Sequence, residues 1–207
     1  MAVDPAVTPN RRGMRSRELV LDAAERVMAE DGFEAATLAR VVAESGIPMS
    51  SVYHYYGSKD GILLAVMERG AERFFADLPD WDRRRGRPGE HLARVSSSAV
   101  QTLERHPSFL RLLIVFAAQP RGDGEIQAVV GRVRAVALQR LRRQVAIAFD
   151  DDECSATTDQ LARFALATLD GAFLAAQADP SVTLRRLLEP LPPALVAARR
   201  ALLARAG

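Results

Sequence analysis

Very little of this 207-residue sequence could carry redox or metal chemistry. It has one cysteine, Cys154, which excludes an intrachain disulfide frame and a cysteine-based zinc site. That thiol is expected in a loop, without a role. There are three histidines, His54, His91 and His106, and none stands at a metal-ligand spacing such as H-E-x-x-H. A glycine-rich phosphate loop and a nucleophile elbow are missing as well. These absences argue against an enzyme, and neither a metal nor a cofactor is expected. No apolar run is long enough to span a membrane. Residues 1–10 lack the charged start and apolar core of a signal peptide, so a cytoplasmic protein is expected. Lysine is nearly absent too: Lys59 stands alone among 28 basic residues, the rest being arginine.

What the sequence does have is helical periodicity, over a hydrophobic content of 48% that supports a sizeable core. No strand alternation and no internal repeat is visible. The most informative stretch runs from Thr37 to Leu63. Thr37 is a good N-cap, because its hydroxyl can accept from free backbone N–H groups two or three residues on. Leu38, Val41 and Val42 give the following helix one apolar stripe, and Ser45-Gly46 stops it. Pro48 suits the first turn of a second helix, in which Val52 and Tyr56 face inward. Gly57 ends that helix. Ser58 caps a third, with Asp60 at the positive end of its dipole.

Two short helices joined by a tight glycine turn form a helix-turn-helix. Its second helix should read DNA from the face away from the core. Ser50 and His54 point most directly outward there, flanked by Ser51 and Tyr55, with Met49 and Tyr53 on the other shoulder. That face offers hydroxyls, an imidazole and phenols that can donate to phosphates and base edges, and no carboxylate. Lys59 sits at a helix start, where a cation opposes the dipole, so an anionic partner such as a DNA phosphate is expected.

The stretch resembles the DNA-binding signature of the TetR family of bacterial repressors. Thr37, Val41, Gly46, Ile47, Ser51, Val52, Tyr53, Tyr55, Tyr56, Lys59 and Leu63 stand at matching places. Val42 and Ser45 replace two alanines of the pattern, Pro48 replaces a serine cap and Ser50 a glycine. The last two departures touch the start of the recognition helix, where operator sequence is read.

The resemblance implies an all-α fold of about nine helices. A three-helix DNA-binding head carries the helix-turn-helix, and a larger C-terminal helical domain binds ligand and dimerises. The expected boundaries are a flexible basic arm at 1–14, the head at 15–60 and the regulatory domain at 61–207. Arg11, Arg12, Arg15 and Arg17 cluster on or beside the arm, from which Arg11 and Arg12 could lie along phosphates or reach a minor groove. The first helix, about 16–30, also carries Glu18, Asp22, Glu25 and Glu30. DNA affinity must therefore come from local placement and not from a basic block.

Residues 79–89 read as a loop, with Trp81 either lidding a pocket or, by preference, docked on the body. Helices follow at about 90–105, 107–119, 125–149 and 157–178. A last one at about 184–206 is expected to bend or break near Pro190, Pro192 and Pro193. The helix at 157–178 is apolar almost all round, which points to burial on every side and hence to a twofold dimer. Ala172, Ala175 and Ala176 would permit close helix approach there. In the resemblance, the last two helices make the dimer interface, and paired recognition helices reach major grooves roughly 34–36 Å apart on a near-palindromic operator.

The C-terminal half is also where the resemblance places an effector cavity. Phe74, Phe75, Phe109, Leu112, Leu113, Phe116, Phe164 and Phe173 are its expected apolar wall. Asp170 and Gln177 are its expected polar groups, with Gln119 and His106 also polar amid apolar helices. Asp170 is expected to meet a cationic ligand or, in preference, an arginine of the partner chain. The expected function is a repressor released from its operator by a small apolar or aromatic effector. The competing reading is a helical small-molecule carrier or interaction protein without sequence-specific DNA binding, which steep salt dependence would exclude.

Overall fold

The computed structural model describes residues 11–118 and 124–206, among which there are ten helices and no strand. The head comprises α1 (Arg11–Asp31), α2 (Leu38–Ser45) and α3 (Met49–Tyr56), and α4 (Lys59–Asp77) runs from it into the body. The body is built from α5 (Pro88–Arg105), α6 (Pro107–Ala118), α7 (Gly124–Phe149), α8 (Ala156–Ala178), α9 (Leu184–Leu188) and α10 (Leu191–Ala206). The expected break of the last helix falls between Leu188 and Leu191 and accounts for the tenth segment.

Capping fixes the head locally. Thr37 is the N-cap of α2, its side chain accepting from the Arg40 amide, and Ser58 caps α4 by accepting from the Gly61 amide at 3.0 Å. Gly46 closes α2 with φ +68°, where a side chain would be strained. Pro48 lies one residue ahead of α3 and not within its first turn.

Helix α1 begins at Arg11, not at about residue 16. Arg11, Arg15 and Arg17 therefore lie on its first two turns instead of on an arm. The three-helix head buries too little alone, and its core continues into the body. Val20, Val27, Val41 and Val52 pack in one cluster with Ile62, Leu63 and Val66 of α4. Two further contacts fasten head to body. Arg69 of α4 is buried against α1, with Glu18, Asp22 and Glu25 at 3.0, 2.8 and 3.0 Å. Phe33, just beyond α1, sets its ring edge-on to Phe116 of α6 at 5.5 Å. Between α4 and α6, Gly70 lets Phe109 lie against the helix backbone: a Cβ at Gly70 would stand 2.4 Å from Phe109 Cδ2.

Candidate nucleic-acid interface and apolar cavity

Helix α3 presents the expected face. Val52 is buried, while Ser50, His54 and Tyr53 are exposed and Met49, Ser51 and Tyr55 are half-buried along the rim. Tyr56 turns inward, and its hydroxyl donates to the Arg17 carbonyl at 3.1 Å, tying α3 to α1. Burial pushes that phenol up to about 12, so it stays a donor at any physiological pH. Tyr55 is held from above by the Arg17 guanidinium, 5.1 Å from its ring centroid, and His54 lies beside it with ring centroids 5.8 Å apart. The outer face of α3 is thus a row of donors on a helix whose inner face is locked.

The acids of α1 do not oppose this surface. Glu18 and Asp22 pair with Arg69 and Arg73, Glu25 with Arg69, and Glu30 with Arg40, which also reaches Asp31. Each is paired with an arginine of α2 or α4, the five acids sharing Arg40, Arg69 and Arg73, while Arg11 and Arg15 remain exposed. The side chain of Arg12 lies outside the described residues.

Lys59 has a different environment from the one its position suggested. Its ammonium donates to the Glu34 carbonyl at 3.0 Å and lies 4.4 Å from the Phe33 ring centroid. An intramolecular carbonyl and a π face stabilise the cation at the helix start, so no external anion is required there. Two of its three donors remain for one.

In the body, α4, α5, α6, α7 and α8 enclose an apolar cavity of about 110 Å³. Of the expected wall, Phe74, Phe75, Leu113 and Asp170 line it. Phe109, Leu112 and Phe173 are instead packed in the core, and Phe116 serves the contact with Phe33. Phe164 points outward from α8 at 46% exposure. Gln177 is exposed as well, accepting from Arg111 Nε at 2.6 Å. Gln119 lies outside the described residues. His106 ends α5 as expected, 3.0 Å from Asp77 Oδ2.

Asp170 does meet an arginine, but one of its own chain: Arg134 of α7, at 2.7 Å. Trp81 lines the cavity, and its loop is docked on the body as preferred. Its carbonyl accepts from Gln144 Nε2 at 3.1 Å, which straps the loop before α5 to α7. Sequence reasoning also missed Ser98, Ala99 and Ala137, whose small side chains leave the space, and Arg140 at its edge. Their signal would have been small residues facing one another across α5 and α7, which no single helix reveals. Buried His91 stands behind this strap; its Nδ1 accepts from the Arg85 amide at 3.4 Å, and burial holds its pKa below the usual histidine range.

Among the described residues, no group of three or more histidine, cysteine or acidic side chains is placed to hold a metal, and no helix is long and apolar enough to cross a membrane. Cys154 is exposed.

Residues 20–66 match the model of the bacterial regulatory proteins of the tetR family. The chain is 24% identical over 161 residues to the HTH-type transcriptional regulator BetI of Brucella canis, covering 78% of this chain and 79% of the relative. It is 25% identical over 123 residues to the HTH-type transcriptional repressor AcnR of Corynebacterium efficiens, covering 59% and 60%. SmeT, the repressor of the Stenotrophomonas maltophilia multidrug efflux pump SmeDEF, has a solved structure that matches with a TM-score of 0.65 at 27% identity, over 88% of this chain and 89% of its own. With its capped helix-turn-helix at the matched residues and its all-helical body behind, the chain belongs to the TetR family of bacterial transcriptional regulators.

Proposed function

We propose that this regulator is a ligand-responsive repressor, binding a near-palindromic operator as a homodimer and leaving it when a small apolar or aromatic effector fills the cavity. The observation that carries the reading is that α4 both follows the recognition helix and walls the cavity, through Phe74 and Phe75. A ligand favouring one position of α4 then favours one position of the head, and shifts operator affinity by its differential affinity for the two states.

Ser50, His54 and Tyr53 would face base edges and phosphates, with Met49, Ser51 and Tyr55 at the rim. Thr37, Lys59, Arg11 and Arg12 would contact the backbone. The dimer would form through α8 and α10. On α8, Phe164, Ala167, Gly171, Leu174 and Ala178 recur every three or four residues and are all exposed, and Leu203 is exposed on α10. Ala172 faces its own core, so close approach would rest on Ala167, Gly171 and Ala175. Such a stripe favours a self-complementary interface. A repressor of this kind works in the cytoplasm, beside its DNA.

The test is binding to the intergenic DNA upstream of its own gene at several salt concentrations. The expected result is a dimer whose affinity falls linearly in log[salt] and exceeds that for a scrambled duplex. Tyr53→Phe should weaken binding to every sequence alike, whereas changes at Met49 or Ser50 should alter which sequence is preferred. Absence of DNA binding at low salt would favour the carrier reading instead.

A further inference from the structure

The charges around the cavity are unequally satisfied, and this bears on what it takes. Two carboxylates line it, and each already has an arginine: Asp170 with Arg134 at 2.7 Å, and Asp80 with Arg143 at 3.1 Å. Two of its aromatic rings carry a guanidinium over one face. Arg140 lies 5.0 Å from the Phe75 centroid and Arg85 lies 5.1 Å from that of Trp81. A cationic ligand would compete for the features that attract cations, since both the carboxylates and these π faces are engaged.

Arg140 differs from the other charged groups of the wall. It has no carboxylate partner among the described residues and makes one hydrogen bond, from Nη1 to the Phe75 carbonyl at 2.9 Å. That bond holds the guanidinium at the cavity edge and engages one of five donors. The remaining N–H groups form a planar fork suited to a bidentate carboxylate, and a half-buried setting strengthens such a charge-assisted pair. The cavity itself is smaller than the about 150 Å³ apolar cavity known to admit benzene, so the apolar body is a single ring at most, or a short chain.

We propose that the effector is a small apolar monocarboxylate, its hydrocarbon body in the cavity and its carboxylate on Arg140. This rests on the cavity's being the effector site. The Arg134–Asp170 pair stays closed in this arrangement, and the ligand supplies the one negative charge that the wall lacks.

Trp81 is the sole tryptophan and lines the cavity, so its emission reports occupancy of the full-length protein. Benzoate, benzyl alcohol and benzylammonium share one body with three heads, and hexanoate, hexanol and hexylammonium repeat the comparison on a chain. Titrations followed by Trp81 emission and by calorimetry should show one of the carboxylates binding at least about tenfold tighter than its alcohol and its ammonium, the size of a good charge-assisted contact. Arg140→Met should remove that preference while leaving the alcohol's affinity in place, and Arg140→Lys should keep part of it. Thermal melts of both variants without ligand check that the fold survives.

Equal binding of the three heads, tightest binding of an ammonium, or a carboxylate preference that survives Arg140→Met would overturn the assignment of charge and leave the cavity as an effector site. If no probe binds in the millimolar range, the effector reading of the cavity fails, and this proposal with it.

Discussion

Replacing Arg69 by methionine keeps most of the side chain's length and removes its charge, so it isolates the ionic link between α4 and α1. Arg69 has three carboxylate partners on α1, but they are not equivalent. Glu18 and Asp22 are 52% and 41% exposed, and exposed pairs of this kind contribute about 0–1 kcal/mol each. Glu25 is 19% exposed against a guanidinium at 9%, which approaches the buried case, where removing one partner costs about 3–5 kcal/mol. Partial solvation of the stranded acids moderates that figure, and a loss of about 3 kcal/mol is expected for Arg69→Met. In a chain of this length that corresponds to a fall in Tm of roughly 6–12 °C.

Arg73 provides the internal control. It pairs with the same Glu18 and Asp22, at 2.8 and 3.3 Å, but is 48% exposed. Arg73→Met should therefore cost under about 1 kcal/mol. Urea and thermal unfolding of the two variants decide the matter. Equal losses, or a loss below about 1 kcal/mol for Arg69→Met, would refute the argument from burial. Because Arg69 faces α1 and not the DNA surface, its loss should weaken operator binding without changing the salt slope.

Other substitutions bear on separate links of the structure. Gly70→Ala places a methyl group against the buried Phe109 ring; overpacking of about 1–3 kcal/mol should exceed the helix-propensity gain of up to about 1 kcal/mol, giving a net loss in chemical denaturation. Tyr56→Phe removes the bond to the Arg17 carbonyl and should cost about 1 kcal/mol in the same assay. His91 is held low chiefly by burial, with Arg94 and Arg84 adding to the effect. The unfolded chain then binds the proton that the folded one resists, so stability should decline as pH falls below about 6.5, towards the depressed folded pKa. His91→Gln should flatten that part of the stability profile, and an unchanged slope would assign it to another group.

The head was legible because its signals are local. Thr37, Gly46, Gly57 and Ser58 set helix ends with groups two or three residues away, and the sequence displays that spacing directly. Helix α1 was misjudged at its start because Arg11 to Arg17 looks like a solvated run. Three of its acids face Arg69 and Arg73, about fifty residues downstream, and nothing local announces such pairs. The cavity was half legible for a related reason. Bulky residues reveal that a helix has an apolar face, not whether that face meets a side chain or a gap. Phe109 went into the core because Gly70 receives it, while the space near Phe75 exists because Ser98, Ala99 and Ala137 are small. Asp170 was correctly expected to meet an arginine, but sequence could not say that Arg134 of the same chain would supply it.

The fastening of head to body has a mechanical consequence. The chain crosses once, at the start of α4, and a single crossing would leave the head free to swivel. The Arg69 clamp adds a second attachment and the Phe33–Phe116 contact a third, on a different helix. Together with the shared apolar core, these contacts resist rotation of the head on the body. The head is thus joined to the neighbouring parts of α4 and α6 by core packing, an ion cluster and a ring contact. Phe74, Phe75, Leu110 and Leu113 lie further along those same two helices and wall the cavity. On the proposed function, an effector that shifts that wall would move the recognition helix with it, and operator binding would in turn be felt at the wall.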